Sequence, residues 1–248
     1  MRGSIKTSCD SSFKYVYIDS VHSKMAFQLN RAFLHYIQHL HRHWIETWLA
    51  FNSVNRICLI GESPSIEFNS HQEVFWVTEE DVPVTHSMNK VVSIRAAPNQ
   101  MPFPNDYFDL VVVIHAHEVE PRGATVFTES ARILKSQGHL MLFSFKSLSL
   151  LAFQGWCLKL PLALNHLLYH AYIDSIMGHS NMYLVRKIDL LYRPYCKDKL
   201  FNLLNRLEIL GPLLMPMLSN MTLSIWRKDE SCLLMDALSV TEGSDVKH

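Results

Sequence analysis

The sequence predicts an α/β fold, a mostly parallel sheet with helices on both faces. Three observations point there. The run Leu110-Val111-Val112-Val113-Ile114 is apolar without alternation. That suits a strand buried on both faces at the centre of a parallel sheet. A segment over about 126–134 follows, with Phe127, Ala131 and Leu134 at helical spacing, and then a second apolar run, Leu140–Phe145. Strand, crossover helix, strand is a right-handed βαβ unit. Further short apolar runs at about 56–60, 74–78 and 90–96 are separated by loop or helical stretches, so the parallel strands multiply.

The remaining elements follow in chain order. Residues 1–23 read as an N-terminal arm, in which Tyr15-Val16-Tyr17-Ile18 suits a short strand. The main domain is expected over 24–228, with 147–180 as a lid or insertion and 229–248 as a polar, flexible tail. From Lys24 to Phe51 no Pro or Gly interrupts a helical pattern of Phe27, Phe33, Ile37, Leu40, Trp44 and Leu49. His35, His39 and His43 recur at i, i+4, i+8 on that helix. Such spacing can hold a metal. The Glu of a catalytic HExxH is absent, so the reading is a polar face that charges as pH falls, and no metal is assigned.

Arg56–Gly61 is the first strand, and Gly61-Glu62-Ser63-Pro64-Ser65 the loop after it. Val74–Thr78 is the second, followed by Glu79. Lys90–Ala96 is the third, followed by Ala97-Pro98-Asn99. Lys135 falls near the end of the crossover helix, where positive charge suits the dipole, and Gly138 is placed as its left-handed C-cap. Tyr183–Tyr192 is expected to hold a sixth strand, Leu200–Leu210 a helix, and Thr222–Arg227 a last, antiparallel strand.

Composition narrows function. The chain has 248 residues, 48% of them hydrophobic, which fits one decorated α/β domain. A formal net charge of zero gives no global field toward nucleic acid. Five scattered cysteines without a CxxC pair argue against a disulfide framework or zinc site and for a reducing, cytoplasmic setting. The polar start of the chain lacks the apolar core of a secretion signal. Residues 147–173 are rich in Leu and aromatics, which suits a lid or a peripheral membrane contact.

A specific resemblance runs over 101–145. Pro102, Phe103, Phe108, Asp109, His115, Glu129, Arg132, Leu134, Lys135 and Gly138 match, in order and spacing, the pattern of type 11 class I S-adenosyl-L-methionine (SAM)-dependent methyltransferases. Ser136 and Gln137 stand where that family has Pro and Gly. The resemblance implies a Rossmann-like, seven-stranded sheet and SAM as cofactor. It implies a cofactor site from Gly61, Glu62, Glu79, Ala97, Pro98, Asn99 and His115. In the family, glycines after the first strand admit the methionine part, an acidic residue after the second binds the ribose hydroxyls, and one after the third meets the adenine amine. Here one glycine remains, Glu79 supplies the ribose carboxylate, and Ala97 takes the adenine position with Asn99 nearby. These departures predict weak or lost SAM binding. His115 and His117 are the candidate catalytic residues, as bases toward a substrate hydroxyl or amine. Two functions follow: a SAM-dependent methyltransferase acting on a small or lipid-like acceptor, or a catalytically inactive binding or scaffold protein on the same sheet.

Overall fold

The computed structural model describes residues 31–62, 66–79, 91–119, 123–147, 149–158, 170–196, 201, 203–214 and 218–229. The expected arm, most of the tail and the loop residues Ser63-Pro64-Ser65 lie outside them. The elements run α1 (Arg31–Phe51), β1 (Arg56–Gly61), β2 (Glu73–Thr78), β3 (Val91–Arg95), β4 (Phe108–Ile114), α2 (Ala116–Val119), α3 (Gly123–Ile133) and β5 (Leu134–Phe145). Then come α4 (Leu150–Leu158), α5 (His170–His179), β6 (Met182–Leu190), a short 3-10 turn (Leu204–Arg206), α6 (Leu207–Leu214) and β7 (Met221–Lys228).

The seven strands form one sheet in the order β3-β2-β1-β4-β5-β7-β6. The first five are parallel neighbours, as the apolar runs predict, so their carboxyl ends share one rim. β7 enters antiparallel between β5 and β6. Alternate side chains of the strands feed two cores. On one face Ile57, Leu59, Leu110, Val112, Ile114, Met141 and Phe143 pack with Phe33, Ile37 and Ile45 of α1 and Leu151 of α4. On the other, Cys58, Ile60, Val111, Val113, Leu140 and Leu142 pack with Val126, Phe127 and Ala131 of α3 and Ile173 and Met177 of α5. A central strand with both faces covered needs apolar residues at every position, which is why β4 reads as an unbroken run.

Motif residues before and within β4 hold the strands together. Arg132 donates to the Phe103 and Met101 carbonyls at 2.8 and 3.1 Å and pairs with Glu129. Glu129 in turn accepts from the Met101 N–H. The 101–105 turn is thereby pinned to α3. Asp109 accepts from the backbone N–H groups of Asn55 and Arg56 and from Lys135 Nζ at 2.6 Å. Burial works against its charge, but Lys135 and the two amides hold the carboxyl below the usual carboxylate range. Asp109 thus joins the starts of β1, β4 and β5.

Two expectations shift. Helix α3 stops at Ile133, and Gly138 is no C-cap; it lies inside β5. The left-handed residue is Gln137, at φ 64°. Gly138 is needed for another reason, since a Cβ there would sit 2.8 Å from the Lys135 carbonyl oxygen and 2.9 Å from the Leu134 side chain. The β4–β5 register shifts between Phe108 and Leu110, so the extra residues of β5 are absorbed as an irregularity at this end. Of the expected 147–180 lid, the described part makes α4 and α5, and α5 packs beside α3 as one of the helices covering the sheet. Among the described residues no helix is long and apolar enough to cross a membrane.

Leu142 is fully buried at the centre of β5. Leu142→Ala should cost about 2–5 kcal/mol of unfolding free energy, read from urea denaturation, through lost burial and the cavity left behind.

Candidate functional site

The rim gathers the ends of β1, β2, β3 and β4. At its centre β1 ends at Gly61, whose φ is 98°. A Cβ here would lie 2.3 Å from the Ile114 carbonyl oxygen of β4, so only glycine lets the two strand ends approach. The Gly61 carbonyl accepts from the Trp76 indole N–H of β2 at 2.9 Å. β4 ends at Ile114, and His115 turns the chain with φ 54°, a left-handed conformation uncommon for a residue with a Cβ. That turn drops the imidazole beneath the rim.

Below the rim lies a connected set of buried polar side chains. His115 Nδ1 is 2.9 Å from Glu118 Oε2, and His115 Nε2 is 3.3 Å from His41 Nε2 on α1. His41 Nδ1 is 3.7 Å from Glu62 Oε2, and the Gln38 amide donates to Glu62 Oε1 at 2.9 Å. Glu118 Oε1 accepts from the Phe145 N–H at 2.5 Å and lies 3.6 Å from His117 Nε2. The rings are packed by aromatics: His115 stacks on Phe145 at 4.3 Å, His41 meets Phe143 edge-on at 4.7 Å, and His117 lies against Phe127 at 5.1 Å. All five ionisable members are buried; His41 is 1% exposed and Glu118 5%.

The two carboxyls are driven apart. Burial pushes the Glu62 carboxyl above the usual carboxylate range, with only partial relief from the Gln38 amide and His115. Burial pushes Glu118 the same way. There His115, through its charge and hydrogen bond, together with His117 and the Phe145 amide, reverses the shift and holds the carboxyl below that range. Glu118 is therefore the anionic end of the chain and Glu62 the end that retains a proton more readily.

Each candidate from the sequence has a place. Gly61, Glu62 and His115 are brought together, and His117 joins them through Glu118. His115 and His117 lie inside the protein, 3% and 2% exposed, beneath the rim where the sequence reading puts bases toward a substrate. Glu79 follows β2 and is half-buried, while Ala97, Pro98 and Asn99 follow β3, with Pro98 buried. These four belong to the β2–β3 side of the rim. Half-buried Gln38 and buried His41 and Glu118 complete the set and were missed as site residues. A signal existed for His41, which continues the Ile37–Ile45 stripe at i, i+4, i+8, so the helix face that looks inward carries a histidine. His35, His39 and His43 are exposed on the opposite side, the last two stacked at 6.4 Å. Among the described residues no group of three or more His, Cys, Asp or Glu is placed to hold a metal. Cys58 is buried in β1, where burial pushes its thiol far up and leaves it unreactive.

The residues on the β2–β3 side can be tested against SAM by their chemistry. Glu79 offers a carboxylate just past β2, the group that accepts two hydroxyl protons of a ribose. Pro98 and Ala97 offer apolar surface past β3, and the Asn99 amide is the polar side chain there. This fits the nucleoside end. At the β1 end, Glu62 turns its carboxyl inward to Gln38 and His41.

Glu118 and Glu62 give opposite pH dependences. The folded pKa of Glu118 is lowered, so its stabilisation is complete above the unfolded value of about 4.3 and is lost as pH falls through the lower folded value. The folded pKa of Glu62 is raised, so its contribution is complete below about 4.3 and is lost as pH rises through the raised value. Glu118→Gln should therefore cost about 1.5–3 kcal/mol at pH 7, the worth of hydrogen bonds to a charged group, and flatten acid unfolding. Glu62→Gln, which keeps an acceptor for Gln38, should leave stability unchanged or higher at pH 8. Urea denaturation of both variants and the wild type at pH 3, pH 5 and pH 8 checks the signs, the step from pH 5 to pH 3 reading Glu118 and the step from pH 5 to pH 8 reading Glu62.

Comparison with known proteins agrees with this architecture. Residues 75–142 match the family model of a methyltransferase domain. The structure of YcgJ from Bacillus subtilis superposes with a TM-score of 0.50 at 16% identity, covering 76% of this chain and 99% of that one. The [4+2]-cyclase SpnF superposes with a TM-score of 0.52 at 11% identity, covering 86% of this chain and 91% of that one. A search of curated proteins finds no match. At such identities the structural likeness is one of fold. In sequence across residues 75–142, and in fold across the whole sheet, the chain resembles the class I SAM-dependent methyltransferases.

Proposed function

We propose that the chain is a SAM-dependent methyltransferase whose acceptor is a small or lipid-like molecule. The observation that carries this is the convergence of Gly61, Glu79, Ala97-Pro98-Asn99 and His115 on the carboxyl ends of four adjacent strands, where parallel α/β sheets take their ligands. SAM, when bound, supplies a methyl group carried on a cationic sulfonium. The chain's own part is to bind and orient. Glu79 would accept from the ribose hydroxyls, and Pro98 and Ala97 would wall the adenine side. Gly61 lets β1 end against β4 without a side chain between them. Glu118 holds His115 Nδ1 and so fixes the ring, leaving Nε2 directed at His41. The His115–His41 pair can hold a proton beneath the rim and exchange it between the two rings. A neutral acceptor suits a protein of zero net charge.

A second reading is favoured by two observations: His115 and His117 are buried and turned to Glu118 and not to the rim, and the Ala97 side chain offers no acceptor for an adenine amine. On that reading the sheet serves as a binding or scaffold unit without chemistry. Calorimetric titration with SAM and with S-adenosylhomocysteine separates the two. Methyltransferase function requires both to bind, Ala97→Asp to tighten SAM about tenfold or more, and Glu79→Ala to weaken it by a similar factor. No heat from either ligand, with the circular dichroism of the folded chain intact, would give the second reading the lead.

A further inference from the structure

The polarity of α6 is inverted. Its charged residue faces in: both Glu208 carboxylate oxygens lie 3.2 Å from the Tyr192 N–H, and one is 3.4 Å from Arg193 Nε. Gly211 also faces in, so close to Tyr192 that a Cβ would lie 2.5 Å from its side chain. The large apolar side chains face out. Ile209 is 79% exposed, Leu213 80% and Leu210 43%, and Leu203, in the turn before, is 75% exposed. Arg206, Ile209, Leu210 and Leu213 are spaced i, i+3, i+4, i+7, which makes one continuous outward stripe with a cation at its start. Arg206 is exposed, and no carboxylate shares the stripe, because Glu208 is turned away.

The helix has already met the protein with its polar side, so its apolar side must be matched elsewhere. A stripe one helix wide, ~10 Å, and ~17 Å long offers far less than the ~800 Å² per partner of a stable protein interface. It is the shape that lies in a bilayer interface, with apolar side chains among the acyl chains and a cation at the headgroups. We propose that the 203–213 stripe docks the protein on an anionic lipid surface, Ile209, Leu210 and Leu213 inserting and Arg206 pairing with lipid phosphates. This places membrane contact on a different segment from the apolar 147–173 stretch that the sequence suggests, and it does not depend on whether SAM is bound.

The test is flotation of the full chain with phosphatidylcholine vesicles, with and without phosphatidylglycerol. The wild type should float with the mixed vesicles and much less with phosphatidylcholine alone. Ile209→Ser with Leu213→Ser should weaken partitioning about tenfold or more, since each removes an inserted apolar side chain. Arg206→Glu should abolish the preference for anionic vesicles while leaving the apolar stripe intact, and it serves as the readout if the double variant fails to fold. The proposal is overturned if the wild type floats with neither vesicle or if the variants float like the wild type. It is also overturned if light scattering shows a wild-type dimer that the double variant turns into a monomer.

Discussion

Glu118 is a carboxyl inside the protein whose partners favour its charged form, His115 on one oxygen and the Phe145 amide and His117 on the other. Through it the turn after β4 is fastened to the end of β5, and through His115 that fastening reaches His41 on α1. The left-handed turn at His115 is tolerable because the ring it places is gripped on both nitrogens and stacked on Phe145. This group thereby anchors the turn that directly follows the close approach of Gly61 to Ile114 in the β1–β4 ladder.

The same arrangement sets a tension between the two carboxyls. A buried charge costs several kcal/mol unless hydrogen bonds and opposite charge replace its water. Glu118 has those partners in number, whereas Glu62 has the Gln38 amide and a histidine at 3.7 Å. One end of the chain is thus stabilised as an anion and the other as an acid. Environments that push like groups apart are common at functional sites, and structural networks produce them too. Here the network lies under the rim and ties α1 to the strands, which makes it part of the platform on which any ligand would rest.

Much of the fold was legible because its signals are local. The β4 run, the Phe103 turn, Glu129, Arg132 and Lys135 each have a partner within about thirty residues, and their spacing in the chain carries the geometry. Gly138 was misread because a glycine after a helix looks like a cap, while its cause is a crowded irregularity between β4 and β5. The candidate site was legible only in part. Strand ends could be located from the apolar runs, but whether a side chain there turns up to the rim or down into the core depends on φ at single residues such as His115. His41 lies far from His115 in sequence, as Gln38 does from Glu62, and each pair meets only through helix docking, which periodicity alone ranks as packing. The outward stripe of α6 was hidden for a similar reason. Leu and Ile at helical spacing predict a buried face, and only Glu208 taking that place turns them outward.

The place of β7 has a consequence for how the chain is made. Among the described residues it is the latest strand in the sequence, yet it lies between β5 and β6 and pairs with both along nearly its whole length. Until it leaves the ribosome, β5 is an open edge of hydrophobic backbone and β6 has no strand to join. Lys228 is also late, and its ammonium reaches back to Asp106 and to the carbonyls of Ala131 and Leu134 at the far side of the β4–β5 unit. The nascent protein therefore carries a half-built, adhesive sheet through most of its synthesis and seals it in one late step. For a chain with this topology, pausing or early termination is a greater aggregation hazard than in a sheet assembled strand by strand in sequence order.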